Sequence, residues 1–203
     1  NPKIDFVFGN MANFSKTDDK IVPEINNEKV YKYVRDHANH IEKMFECLIE
    51  ENIVPTPTVV FKRTCIEKIG WFNENYSCAE DYDYWLRASR CCRFGFVDAV
   101  LLLRRKHASN LVNDFVNRLS HRARVLESFK ENTGTLNYNQ KTILDQELSN
   151  IYYDLGSHFF KKRNFQEASA FLKHCLRGNR PVVRWTIKKL LSALLKHSAL
   201  QTH

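Results

Sequence analysis

The pattern of β-prone and helical segments changes once along the chain, and this change most constrains its fold. Short apolar, β-branched runs at residues 3–10 (KIDFVFGN) and 58–63 (TVVFKR) predict strands, and segments with helical spacing lie between and after them. From residue 113 onward only helical patterns occur. Because strands that alternate with helices are typical of an α/β layer, we predict an α/β domain at residues 1–112 and an all-α extension at residues 113–203.

Within the α/β domain, spacing and composition predict three further segments. Apolar residues at three-and-four spacing predict an amphipathic helix at residues 37–51. The polar stretch before it, residues 15–29, shows little periodicity and is expected to be an ordered loop. The run FGFVDAVLLLRR at residues 94–105 is expected to form a strand, a turn and a second strand.

Two helix starts carry a capping-box pattern, in which a Ser or Thr precedes a Glu by three residues. Thr64 and Glu67 predict the start of a short helix that Gly70 ends, since glycine is common just past a helix C-terminus. Ser77 and Glu80 predict the start of the next helix, in the segment SCAEDYDYWLR. The apolar side chains of this helix continue one stripe and are expected in the core: Tyr82, Trp85 and Leu86.

The all-α extension contains one unit that resembles a known helical repeat. Leu155, Gly156, Phe159 and Ala168 stand at tetratricopeptide spacing, where small residues let two helices approach closely. One such unit cannot bury its own apolar face. A helical hairpin at about residues 149–177 is therefore expected to pack on other parts of the chain.

A basic terminal helix is predicted at residues 182–196. After Glu167 the chain has no acidic residue, whereas lysines and arginines accumulate. Five apolar residues form one stripe of this helix: Val183, Ile187, Leu190, Leu191 and Leu194. The arrangement is compatible with binding to an anionic membrane surface, and packing of the stripe on the hairpin is the alternative.

Composition restricts the class of protein. Of the 203 residues, 43% are hydrophobic, which is enough for a packed core. No run approaches the roughly eighteen apolar residues of a membrane-spanning helix. We therefore expect a cytoplasmic protein, either soluble or peripheral at the inner face of the membrane. The net charge of +8 also suits nucleic acid, but the chain has no recognisable DNA- or RNA-binding motif, so no specific nucleic acid is expected.

The six cysteines lack the dense spacing of a disulfide-stabilised secreted domain. We therefore expect reduced thiols, as in a cytosolic protein. Cys78, Cys91, Cys92 and His107 offer the chemistry of zinc ligands, but the absence of a C-x-x-C pair argues against a zinc site.

The acidic residues Glu80, Asp81 and Asp83 allow two interpretations. Acids in a first helical turn satisfy free backbone amides and oppose the positive end of the helix dipole, which would make them structural. The same dipole favours an ionised carboxylate, so that Asp81 would accept a proton near neutral pH. The local sequence leaves both roles open.

The order of segments around these acids resembles a known enzyme family. In PTPTVVFKRTCIEKIGWFNENYSCAEDYDYWLR, an apolar strand ending in a basic pair leads to a short helix, a Gly-x-Phe turn and the motif Glu-Asp-x-Asp-x-Trp-Leu-Arg. This order is similar to the second half of a family 2 glycosyltransferase domain, and LLLRRKHASN resembles the strand and Arg-x-x-His segment that follow there. The resemblance covers about residues 1–112 and implies a partial GT-A fold.

The resemblance implies an inverting transfer of a sugar from a nucleotide-diphospho-sugar to a glycan, lipid-linked or cell-envelope acceptor. The aspartate of the Glu-Asp pair is the general base in this family, so Asp81 is expected to take the proton of the acceptor hydroxyl. Glu80 is expected to hold the helix start or a nearby hydrogen bond. Asp83 is a candidate acceptor contact, but it points away from Asp81 and is expected to face solvent. Trp71, in the preceding loop, is a candidate for stacking on a sugar ring.

The resemblance assigns donor binding to the end of the last strand. Arg104 and Arg105 would neutralise the diphosphate, and strand alternation directs one of the two towards the site. His107 is expected to bind either the diphosphate or the divalent metal, Mg²⁺ or Mn²⁺, of the full-length enzyme. The Asp-x-Asp metal motif of the family is missing, and Asp18 and Asp19 do not have its pattern.

The chain is therefore expected to be the C-terminal part of a longer enzyme and to be inactive by itself. Its exposed sheet edge is expected to favour homo-oligomers. The alternative function is an interaction module, in which the helical hairpin and the basic tail bind a protein or a membrane and the acids only cap a helix.

Overall fold

The computed structural model of the chain is mixed α/β. The residues that it describes are 3–15, 18–23, 28–105, 115–131 and 136–175. The chain divides into two compact units, Asn1–Phe115 and Val116–His203. His107 and the predicted terminal helix at residues 182–196 lie outside the described residues.

Four strands of the first unit form one sheet around β1 (Phe6–Ser15). β1 pairs antiparallel with β2 (Asp18–Pro23) near its end and with the short β3 (Val60–Phe61) near its start. β4 (Phe94–Arg105) pairs parallel with β1 along most of its length, so it occupies the opposite side of β1. The predicted α/β class is confirmed, with a sheet that is mixed instead of purely parallel.

β4 is one continuous strand, so the predicted strand, turn and strand is wrong. Its register against β1 shifts on both sides of Asn10, because Asn10 pairs with Val100 whereas the preceding Gly9 pairs with Val97. Bulges accommodate the extra residues of β4, and a turn is not needed. Among the described strands β4 pairs with β1 alone, and self-association through this edge stays a prediction.

Five helical segments accompany the sheet: α1 (Glu28–Asp36), α2 (Met44–Glu50), a 3-10 turn at Thr56–Thr58, α3 (Arg63–Ile69) and α4 (Glu80–Ser89). We refer to Thr56–Thr58 as the threonine turn. The expected loop at residues 15–29 contains β2 and the start of α1, so that prediction is wrong for these parts.

The predicted helix at residues 37–51 is helical only in its second part. The Phe96 N–H donates to the Ala38 carbonyl at 2.8 Å, and the Ile41 N–H donates to the Phe94 carbonyl at 3.0 Å. Because these backbone groups bond to β4, they cannot form helical hydrogen bonds, and α2 begins after them. Pairing with a strand here overrides the apolar periodicity.

Both predicted capping boxes are absent. α3 begins at Arg63, so Thr64 already lies inside the first turn and cannot precede it. The residue before α4 is Ala79, in the left-handed region with φ of 66°, so Ser77 stands too early to cap. The predicted glycine end of α3 is confirmed, because Gly70 follows the helix with φ of 78°.

Aromatic side chains of the sheet and α4 form the core of the first unit. The ring of Phe6 lies 4.2 Å from that of Phe94 and 5.1 Å from that of Trp85, between centroids. Tyr82 is buried and donates its hydroxyl to the Leu48 carbonyl at 2.8 Å. The three predicted core residues of α4 are confirmed, since none is more than 1% exposed. α4 is thereby fixed to the sheet and to α2.

Three helices make up the described part of the second unit: α5 (Phe115–Glu131, whose first residue belongs to the first unit), α6 (Tyr138–Lys161) and α7 (Phe165–Cys175). α6 begins with a capping box, in which Asn137 and Gln140 each accept the other's backbone N–H. An ion pair between Arg122 and Glu147, 2.9 Å apart, joins α5 to α6.

α6 and α7 form a helical hairpin that closes around Gly156. A Cβ atom at this position would lie 2.6 Å from Cγ of Leu172, which is fully buried. Ala168 and Cys175 are buried beside Leu172, and aromatic residues of both helices pack against the three. Glycine at residue 156 therefore permits the close approach of the two helices.

Two predictions from composition can be compared with the structure. All six cysteines are free thiols, as predicted. Burial raises the pKa of the Cys47 thiol to about 12, and burial likewise raises the pKa of Cys175 to about 12. None of the helices within the described ranges has the length and apolarity that a bilayer-spanning helix requires.

Candidate active site

Asp81 lies in the first turn of α4, and both of its carboxylate oxygens accept hydrogen bonds. The hydroxyl of Thr56 donates to Oδ2, and the N–H of Tyr82 donates to Oδ1 at 2.6 Å. The residue is half-buried and makes no ion pair within the described ranges. An ionised carboxylate has about four lone-pair positions, so these two bonds leave it able to accept a further hydroxyl.

The threonine turn is tied to β1 by the buried hydroxyl of Thr58. This oxygen accepts the N–H of Gly9 at 3.3 Å, and it lies within donor distance of two carbonyls, that of Pro55 at 2.8 Å and that of Gly9 at 3.1 Å. Pro55 and Pro57 flank Thr56 and restrict its backbone. The turn therefore presents Thr56 from a fixed point on the sheet.

Asp83 is buried, so the expectation that it faces solvent is wrong. Its Oδ2 accepts two bonds from the guanidinium of Arg87, from Nη2 at 2.8 Å and from Nε at 2.9 Å. The Asp83 side chain does point away from Asp81, as helical geometry requires, but it points into the protein. A charge buried to this degree needs a counter-charge, and Arg87 supplies it.

Arg87 also holds the loop between α3 and α4. Its Nη1 donates to the carbonyl of Ile69 at 2.8 Å, and Nη2, which also contacts Asp83, donates to the carbonyl of Trp71 at 3.0 Å. The Trp71 side chain is 75% exposed, and the neighbouring Phe72 stacks on Tyr84 of α4 with centroids 4.4 Å apart. Trp71 is therefore an exposed aromatic side chain on an anchored backbone, and its role in sugar stacking stays a prediction.

Of the other predicted site residues, Glu80 lies at the start of α4, and Arg104 and Arg105 lie at the end of β4. Glu80 is the exposed first residue of α4, where an acid opposes the helix dipole. Arg104 is half-buried near the end of β4 and donates from Nε to Asn13 Oδ1 at 2.9 Å, whereas Arg105 is exposed. The two arginines thus differ in burial, and which of them faces a donor site stays a prediction. Their contact with a diphosphate stays a prediction.

A polar cluster on β1, α1 and β4 was not anticipated from the sequence. Asn10 is 5% exposed and donates from Nδ2 to Asp98 Oδ1 at 3.1 Å and to the Tyr31 hydroxyl at 3.3 Å. Tyr31 donates to the same Asp98 oxygen at 2.6 Å, and this bond to the carboxylate raises the pKa of Tyr31. Asp98 reaches the cluster from the bulged part of β4, which periodicity does not reveal.

The described residues do not fit a divalent metal. No group of three or more His, Cys, Asp or Glu side chains in these ranges is arranged to hold an ion. Magnesium and manganese prefer several oxygen ligands, and Asp81, Asp83 and Asp98 already bond to different partners. We therefore derive no catalytic step through a metal.

Comparison of the chain with protein-family models, with curated protein sequences and with solved structures gives no match in any of the three.

Proposed function

We propose that this chain forms the acceptor side of an inverting glycosyltransferase, with Asp81 as general base. Two independent features support the proposal. The order of segments from the threonine turn to α4 resembles the family 2 enzymes. The carboxylate of Asp81 is oriented by two donors and keeps free lone pairs, which is the arrangement that a general base requires.

The chemistry assigned to Asp81 is a single proton transfer coupled to substitution. The acceptor hydroxyl gives its proton to the carboxylate, and its oxygen attacks the anomeric carbon of the donor sugar. The bond from that carbon to the diphosphate oxygen breaks, and the nucleoside diphosphate leaves from the opposite face. The configuration at the anomeric carbon is thereby inverted.

The remaining residues are proposed to bind the substrates. Trp71 offers a ring for stacking on the acceptor sugar, and Arg104, Arg105 and His107 offer positive charge for the donor diphosphate. The half-buried Asp81 carboxylate, with one donor on each of its two oxygens, is the single observation that carries the assignment.

Substitution of Asp81 tests the proposal. Asp81→Asn keeps the shape and one acceptor oxygen, which can bind either the Thr56 hydroxyl or the Tyr82 N–H, but it cannot take up a proton. We expect loss of transfer by about a hundredfold or more, with an unchanged melting temperature. The assay follows release of nucleoside diphosphate from a panel of nucleotide sugars by the native protein that contains this chain. Glu74→Gln, an exposed acid in the loop before α4, is the control and should retain wild-type activity.

Full activity of Asp81→Asn would remove the catalytic role and favour the interaction module. The observation that supports this second candidate is the α6–α7 hairpin, where Tyr153, Phe160 and Phe165 are only partly buried. In that case Asp81 would serve only to join α4 to the threonine turn.

A further inference from the structure

We infer that Thr56 is a positioning residue that orients the Asp81 carboxylate relative to the sheet. The catalytic consequence of this inference rests on the proposed function, whereas the structural part stands on the geometry alone. Thr56 belongs to a 3-10 turn without helical or strand periodicity, so no pattern in the sequence marks it. Its hydroxyl nonetheless meets the one carboxylate to which the proposed chemistry assigns a proton transfer.

The two donors to Asp81 come from different parts of the fold. The Tyr82 N–H belongs to α4 itself and moves with the helix, so alone it fixes Oδ1 only relative to α4. The Thr56 hydroxyl comes from the threonine turn and fixes Oδ2 from outside the helix. Two donors on two oxygens define the plane of the carboxylate, and one donor would leave it free to rotate about χ2.

The threonine turn is itself well anchored. Thr58 accepts the N–H of Gly9 in β1, and its hydroxyl lies within donor distance of the Gly9 carbonyl. A Cβ at Gly9 would lie 2.4 Å from Cδ1 of Leu101 on β4, so the Leu101 side chain would have to shift to admit one. Asp81 is therefore connected to the sheet through a hydrogen bond to Thr56, the threonine turn, and the hydrogen bond between Thr58 and Gly9.

Thr56 is exposed, whereas Thr58 is buried, which separates their roles. A hydroxyl bond at an exposed position adds little to global stability, because water replaces it in its absence. Orientation of a catalytic group is more sensitive, since a displacement of about 1 Å changes rates by about a hundredfold. Removal of the Thr56 hydroxyl is therefore expected to affect the orientation of Asp81 without unfolding the protein.

The first test measures the carboxylate directly in the 203-residue chain labelled with ¹³C at aspartate carboxyl carbons. The Asp81 resonance is identified by its disappearance in Asp81→Asn. We expect it to shift in Thr56→Val, which keeps the shape but removes the hydroxyl, and to return in Thr56→Ser. Thr64→Val, the same change at an exposed position in α3, is the control and should leave the resonance in place.

The second test measures transfer by the native protein with Thr56→Val, Thr56→Ser and the control Thr64→Val. Thr56→Val is expected to lower kcat by about tenfold to a hundredfold while KM stays within about twofold, and Thr56→Ser is expected to restore most of kcat. A purely structural role would instead lower the melting temperature and the amount of folded protein, with kcat per folded molecule unchanged. That result would overturn the inference.

The two tests also separate this inference from the proposed function. An unchanged Asp81 resonance in Thr56→Val overturns the positioning role, whatever the activity. A shifted resonance that Thr56→Ser restores, together with full activity of Asp81→Asn, overturns the catalytic role of both residues and confirms only that Thr56 orients the carboxylate.

Discussion

Removal of the Arg87 guanidinium is expected to destabilise the first unit, because it leaves the buried carboxylate of Asp83 without its counter-charge. Arg87 contacts Asp83 through two nitrogens and also donates to the carbonyls of Ile69 and Trp71. The substitution Arg87→Met keeps the length of the side chain and removes all of these donors. It therefore isolates the contribution of the charged group.

The expected magnitude follows from the burial of the two side chains. Loss of one partner of a fully buried ion pair costs about 3–5 kcal/mol. The Asp83 side chain is 6% exposed but that of Arg87 is 25% exposed, so water partly screens the pair. We therefore expect Arg87→Met to lower the free energy of unfolding by about 2–4 kcal/mol. Arg87→Lys keeps the charge without the planar fork and should lose about half as much.

Urea unfolding followed by tryptophan fluorescence measures this loss. In a Trp185→Phe background the two remaining tryptophans, Trp71 and Trp85, both belong to the first unit. Arg63→Met, at an exposed arginine of α3, is the matched control and should change stability by less than about 0.5 kcal/mol. Equal midpoints for Arg87→Met and the control would show that burial of Asp83 does not depend on its ion pair.

Two further predictions concern other parts of the molecule. Leu172→Ala should destabilise the second unit by about 2–5 kcal/mol, because it leaves a cavity beside Gly156. Circular dichroism of the helices during urea unfolding measures this loss of stability. A loss below about 1 kcal/mol would contradict the close packing of Leu172 against Gly156. Burial alone would raise the pKa of Asp5, but the Arg93 N–H and the Lys62 ammonium bind its carboxylate, and the net effect is a pKa below the usual 3.8. Asp5 therefore adds stability that is present above pH 3.8 and is lost as the pH falls through its lower folded-state pKa, so Asp5→Asn should show a smaller acid-induced loss of melting temperature than wild type. Identical melting profiles of the two proteins below pH 5 would refute this.

The elements that the sequence predicted well are those whose signal is local. The apolar stripe of α4 placed its three core residues correctly, and Gly70 marked the end of α3. The apolar run at residues 3–10 contains the first half of β1, but the strand continues to Ser15 instead of turning at Gly9 and Asn10. In each case the residues that form the sequence pattern are also the residues that form the predicted structural feature.

The predictions that failed depended on partners far away in the chain. Ala38 and Ile41 fit a helix by periodicity, but their backbone groups bond to β4. Asp83 is predicted to face solvent because helical spacing directs it away from Asp81. It is buried because Arg87 pairs with it and binds the loop between α3 and α4. Thr56 has no pattern at all, because it stands between two prolines in a 3-10 turn that is defined by backbone restriction and not by hydrophobic spacing. Its importance becomes apparent only through the carboxylate that it meets.

The central position of β1 has a consequence for how the chain folds. Phe6 pairs with Phe61 and with Phe94, so the start of β1 finds these two partners only after most of the first unit has been made. Contacts between residues so distant in sequence are slow to form, whereas α6 and α7 are joined by a short connection and close locally. During synthesis, the end of β1 can pair with β2 as soon as β2 emerges, whereas the start of β1 must remain unpaired until β3 and β4 emerge.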